Sequence, residues 1–180
     1  LKNTEKIRVL RSRLAYVFPA LFAGASCAFF LVLNSCSLMG GAEKINHADD
    51  YDLPRPDGWS KISKKDSDHA YTLPSGSVVI VNSSCDHRSG APLDVLSNQL
   101  LIGSRKRKME PRRDETIGTH AGAWSAGRVE VEGVPIYLNL FVTKHEDCVF
   151  DFSLMRKNAI VASDTAEFKK YIATLKYGKD

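Results

Sequence analysis

The stretch RVEVEGVPIYLNLFVTKHEDCVFDFSLM, residues 128–155, decides the fold class. Arg128 to Glu132 alternates polar with apolar, Gly133 turns the chain, and Ile136 to Val142 returns. His145-Glu146-Asp147 makes a second turn before the run from Cys148 to Met155. Alternation with a period of two belongs to strands half-buried on a sheet. Three such runs joined by short turns predict an antiparallel meander. In the last run Cys148, Phe150, Phe152 and Leu154 share one face and Val149 and Asp151 the other, so Cys148 is expected to point inward with the large apolar residues.

Further strands lie upstream. Trp59 to Ile62 alternates, Ala70 to Leu73 follows a charged turn, and Val78 to Val81 is a β-branched run after the breaker Pro74-Ser75-Gly76. A helix is predicted from Pro92, with Leu93, Leu96 and Leu100 on one face, Leu101 beside them and Gly103 as its stop. A second helix closes the domain. Asp164 and Glu167 stand in capping-box spacing, with Ser163 an alternative cap, and Phe168, Tyr171, Ile172 and Leu175 form one stripe. The fold class is therefore α+β, an antiparallel sheet flanked by helices.

Between the two helices, residues 105–117 (RKRKMEPRRDETI) are dense in charge. One reading makes Arg105, Lys106, Arg107, Lys108, Arg112 and Arg113, together with Trp124, a surface for a partner or polyanion. The other makes the segment an exposed edge, where Lys, Pro and mixed charge block strand-to-strand aggregation. Glu110, Asp114 and Glu115 dilute the positive charge in either case.

The N-terminus is of another kind. Lys2, Lys6, Arg8, Arg11 and Arg13 against Glu5 precede an apolar run from Leu14 to Leu33. A basic region followed by an apolar one is the pattern of an export signal. Leu33-Asn34-Ser35-Cys36 resembles the bacterial lipobox, with Asn34 where a small apolar residue is usual. The expected organisation is a lipoprotein signal peptide (1–35), a lipidated Cys36 with a flexible tether (36–52), and a globular domain (53–178). The alternative keeps residues 14–33 as an uncleaved helix, since about 20 apolar residues span a bilayer. Under either reading the domain lies outside the cytoplasm, tethered to a membrane. Ser37 lacks the aspartate associated with inner-membrane retention, so the outer membrane is the expected address in a two-membrane cell.

Charge agrees with removal of the leader. The chain carries 25 basic and 21 acidic residues, a net +4. Residues 1–35 account for all of that excess, leaving twenty of each sign in the remaining 145. A neutral domain offers no general attraction for nucleic acid.

Beyond the leader and Cys36, two cysteines remain, Cys85 and Cys148. Oxidising compartments favour a bridge between them. Their flanks, Cys85-Asp86-His87 and His145-Glu146-Asp147-Cys148, would instead make a zinc site if the thiols stayed reduced. Two free or differently paired thiols are the third option. Within the tether, His47 with Asp49, Asp50 and Asp52 would either grip a cation or form a mobile acidic segment. No Gly-x-Ser-x-Gly elbow, His-Glu-x-x-His pair or phosphate loop occurs. His120, between small residues, would line a pocket or simply sit in a loop. No catalytic residue, metal or cofactor is assigned.

Gly58-Trp59 with its strand, Ala70-Tyr71-Thr72-Leu73 before Gly76-Ser77-Val78-Val79-Ile80, the middle helix, the meander and the closing Phe168…Ile172-Ala173-Thr174-Leu175-Lys176 together resemble the PsbP-like family. The resemblance covers about residues 53–178 and implies an α/β/α sandwich. It also implies a binding or assembly domain, mostly without catalytic machinery; none of the family's metal- or partner-binding residues can be placed on this chain. The expected function is that of a lipid-anchored envelope protein with a protein partner. The alternative is a periplasmic protein, held by an uncleaved anchor, that takes a small apolar or metal ligand between sheet and helix.

Overall fold

The computed structural model describes residues 46–65, 67–85 and 90–178. Residues 1–35, Cys36 and the first part of the expected tether lie outside the described residues. In chain order the elements are β1 (Tyr51–Asp52), β2 (Ser60–Lys61), β3 (His69–Thr72), β4 (Val78–Ser84), α1 (Leu93–Gln99), β5 (Arg105–Met109), β6 (Arg113–Ile117), β7 (His120–Val131), β8 (Val134–His145), β9 (Cys148–Arg156), α2 (Ala162–Ile172) and β10 (Lys176–Tyr177).

The meander β7-β8-β9 is the centre of an antiparallel sheet ordered β2-β3-β4-β9-β8-β7-β5, with β6 also paired to β7. Glu132 and Gly133 turn β7 into β8 with φ of 50° and 80°. Two positive φ values match the right-handed twist of the flanking strands, and glycine takes the second without a Cβ clash. Pairing then runs from Val131 opposite Val134 to Gly122 opposite Thr143. Strand β9 returns along β8 from Cys148 opposite His145 to Arg156 opposite Tyr137, and β4 lies on its far side.

Strand β7 begins eight residues before the alternating run because AGAWSAG offers little contrast between its faces. Its small residues serve packing. A Cβ on Gly122 would lie 2.5 Å from the Val142 carbonyl oxygen and 2.6 Å from the Phe141 ring.

Because side chains alternate, the sheet has two apolar faces. One carries Val79, Val81, Trp124, Phe141, Phe150, Phe152 and Leu154, which pack with Phe168, Tyr171 and Ile172 of α2 and with Leu175 beyond it. The other carries Val129, Leu138 and Leu140 against Leu101, and Val142 and Val149 against Leu96 of α1. Helices on both faces make an α/β/α sandwich. Seven-residue α1 is too short to cover its whole face.

Three sequence expectations change. First, the domain starts before residue 53, so residues 46–52 are not tether: the Cys85 amide donates to the Asn46 carbonyl at 2.7 Å, the Ala48 amide to Ser83 Oγ at 2.8 Å, and β1 pairs with β10. Tyr51 seals this region, its ring edge-on to Phe150 at 5.2 Å. Burial of one aromatic ring leaves no periodic signal in a sequence.

Second, Asp164 does not cap α2, whose first turn carries no side-chain cap. Asp164 is buried and accepts hydrogen bonds from Ser75 Oγ (2.7 Å) and Ser77 Oγ (2.5 Å), tying the β3–β4 turn to the helix. Third, Trp124 is buried under α2, at 2% exposure, and is no part of a contact surface.

Candidate functional site: an apolar cavity on the α1 face

Where α1 ends, the sheet face stays open. A cavity of about 990 Å³ lies there, floored by Val129, Leu138, Leu140 and Met155, with Val78 and Leu101 at its sides. The strand period puts Ile136, Leu138 and Leu140 on one face of β8, and Val129 and Val131 opposite or diagonal to them on β7. The apolar floor continues onto the open rim. Ile102 is 76% exposed, Val131 44% and Val134 38%. Exposed apolar side chains gathered at one concavity mark a binding surface, whereas single ones are ordinary. Polar groups line its edges: Ser75, Ser104, Arg156, Lys157 and Asn158, with Glu132 at the hairpin tip. The sequence does not reveal this site, because each of its floor residues looks like core. Its one signal is Ile102, a position before Gly103 and outside the α1 stripe.

The basic segment forms the sheet edge beyond β7, where β5 pairs with the later part of that strand and β6 with its first part. Most of its cations are engaged locally. Lys106 Nζ lies 2.9 Å from Glu130, Arg112 3.1 Å from Asp114 and Arg113 3.3 Å from Glu115. Arg107 donates to the Leu101 carbonyl and to Ser104 Oγ. Arg105 and Lys108 remain exposed and without an ion-pair partner among the described residues. Burial alone would push Glu115 up, but the Lys169 ammonium and the Arg113 guanidinium outweigh it and hold its carboxyl below the usual range. Mixed charge on an outer strand fits an edge guarded against pairing.

Cys85 and Cys148 form a disulfide with S–S 2.00 Å, so neither sulfur is a thiolate available to zinc. His145 lies flat on Tyr177, ring centroids 3.8 Å apart, and His87 is outside the described residues. His120 is not in a loop, and it lines a cavity of about 530 Å³ with His145 and Tyr177. It opens β7, is buried, and its Nε2 lies 3.0 Å from the Leu175 carbonyl oxygen. His47 Nδ1 lies 2.6 Å from Asp68 Oδ1, and among the described residues no group of three or more His, Cys, Asp or Glu, those of His47, Asp49, Asp50 and Asp52 included, is placed to hold a cation.

His69 sits between Tyr51 and Tyr71, stacked on the latter, with Nδ1 3.3 Å from the Tyr71 hydroxyl. Burial pulls its pKa below the ordinary 6.5. A depressed histidine contributes stability above its unfolded pKa and loses it as pH falls toward the folded one. The melting temperature is therefore expected to drop as pH is lowered below about 6.5, and to drop less steeply in His69→Gln. Parallel thermal scans of the two proteins check this.

No protein-family model and no curated protein sequence matches the chain. Its structure is similar to a protein of Bacteroides thetaiotaomicron at 15% identity and TM-score 0.51, over 73% of this chain and 49% of that one. This chain thus spans about half the length of that protein. LpqN, a Mycobacterium tuberculosis protein involved in cell envelope biogenesis, aligns at 13% identity and TM-score 0.47, over 77% of this chain and 88% of LpqN. The cyanobacterial PsbP of Synechocystis aligns at 16% identity and TM-score 0.52, over 81% of this chain and 98% of its own. With a TM-score above 0.5 and 98% of the cyanobacterial PsbP covered, the domain has a PsbP-like fold.

Proposed function

We propose that this protein is a membrane-anchored extracytoplasmic lipoprotein whose domain binds an apolar molecule in the α1-face cavity and performs no chemistry of its own. The observation that carries the reading is the open apolar cavity of about 990 Å³ with Ile102, Val131 and Val134 on its rim. Exposed apolar surface of this kind is costly in water and is retained where something covers it. The extracytoplasmic setting is supported by the disulfide, a bond that persists in oxidising compartments. The leader pattern of residues 1–35 supports it independently, with Cys36 as the acylated residue and the outer membrane as its address.

The chain enters beside Cys85, at the His145–Cys148 end. The cavity lies at the Arg156 end, a nine-residue strand or about 30 Å away.

Two measurements test the proposal. The intact mass of protein extracted from membranes is expected to correspond to a chain starting at Cys36 with acyl mass; a mass that includes residues 1–35 would replace the lipid with a retained helix. N-phenylnaphthylamine fluorescence is expected to rise on the wild-type protein and to weaken about tenfold in Val134→Glu, an exposed position where the fold should tolerate the change. Unchanged dye binding in that variant would remove the cavity from the proposal.

A further inference from the structure

We infer that the cavity beside the disulfide is a binding site for a linear polyamine, whose ammonium groups donate to His120 Nδ1 and to the carboxylates of Asp49, Asp50 and Glu146. The cavity measures about 530 Å³, within the range of small-ligand sites. It shares no lining residue with the α1-face cavity, so the inference goes beyond the function proposed above and does not depend on it.

His120 supplies the specific acceptor. Its side chain is 5% exposed and lines the cavity. Nε2 lies 3.0 Å from the Leu175 carbonyl oxygen, an atom that only accepts, so in the uncharged ring Nε2 carries the proton. Nδ1 is then a bare acceptor, with no hydrogen-bond partner among the described residues. An unsatisfied acceptor in a buried ring is unfavourable, and an N–H donor brought into the cavity relieves it.

Charge around the cavity asks for the same donor. Asp49 and Asp50 come from the segment before β10's partner strand, fixed there by the Gly178 amide donating to the Asp50 carbonyl at 3.0 Å. Glu146 comes from the β8–β9 turn. All three are exposed and without an ion-pair partner among the described residues, and Lys176 is the one lysine or arginine among the described residues lining the cavity. The rim therefore keeps an excess of negative charge. Its acids do not converge on one point as a metal ion requires. Ammonium groups spaced along a methylene chain reach carboxylates that stand apart, each through charge-assisted hydrogen bonds. The methylenes between them meet the half-buried Ala48, Tyr177 and the Cys85–Cys148 bridge.

The test is calorimetric titration of the full, disulfide-bonded chain with spermidine, with a linear diol of similar length as the uncharged control. Spermidine is expected to bind and the diol not to. Asp49→Asn together with Asp50→Asn is expected to weaken spermidine about tenfold, whereas Asp114→Asn, an exposed acid on the β6 edge, is expected to leave it unchanged. The nitrogen NMR resonance of His120 Nδ1 is expected to shift as spermidine is added. Equal weakening by Asp114→Asn, or an unmoved Nδ1 resonance with spermidine bound, would reduce the binding to diffuse attraction and overturn the site. Absence of spermidine binding would also overturn it, with the α1-face reading untouched. An acetylated, amidated trilysine peptide that bound more tightly than spermidine would assign the cavity to lysine side chains of a protein and overturn the polyamine.

Discussion

Replacing Cys85 and Cys148 by serine is expected to lower stability by about 4 kcal/mol. The bridge spans 63 residues of sequence, and a closed loop of that length removes a large share of the unfolded chain's freedom. For a domain of this size the melting temperature should fall by roughly 10–20 °C. The loss should also be local. Cys85 follows the last residue of β4, and its amide binds the Asn46 carbonyl, so the segment 46–52 and its pairing with β10 should loosen first. Hydrogen exchange would show this as faster exchange at position 85 and at Ala48. Dye binding, which belongs to the far end of the sheet, should persist below the new melting point. An unchanged melting temperature would mean that the β4–β9 ladder, Val78 to Ser84 on Met155 to Val149, holds this end of the domain unaided.

Trp124→Ala should have an effect of similar size for a different reason. The indole packs on Phe168 at 6.1 Å between ring centroids and is covered by Lys169 Nζ at 4.6 Å and Arg113 at 5.9 Å. Truncation would leave a cavity in the main core, a change that costs about 3–5 kcal/mol. It would also expose two cations to a face with no ring, losing roughly 0.5–1 kcal/mol per cation–π contact. Chemical denaturation of Trp124→Ala and Trp124→Phe measures both parts, the phenylalanine variant retaining most of the packing. Arg105→Glu and Lys108→Glu, on the exposed edge, should change stability by no more than about 0.5 kcal/mol. If Trp124→Ala proved neutral, the indole would have to be at the surface after all.

Elements with strong periodicity are legible in the amino-acid sequence. The hairpins at Gly133 and Glu146 stand where alternation puts them, and both helices start where their stripes place them but end early, α1 at Gln99 before Leu100 and α2 at Ile172 before Leu175. Cys148 packs beside Phe150 and Phe152 as the alternation of β9 implies. Elements built on small residues or single contacts are not legible. Gly122, Ala123, Ser125 and Gly127 give β7 no pattern, although close strand approach is their purpose. Tyr51 and Asp164 are polar or isolated in sequence, and only their partners, Phe150 for one and Ser75 and Ser77 for the other, show what they do. Trp124, beside a basic segment in sequence, has the look of an exposed anchor, yet α2 covers it.

The sequence by itself determined the class of fold, the partition of charge between residues 1–35 and the rest of the chain, and the lipobox-like tetrapeptide ending at Cys36, because these depend on composition and on repeats of two or three to four residues. Tertiary structure alone decided which apolar residues reach an open face. Val131 and Val134 are indistinguishable from core residues as letters, yet they are 44% and 38% exposed. Helix α1 stops after seven residues, so the sheet beyond it meets solvent, and whether an apolar side chain is core or binding surface depends on what lies across from it in space.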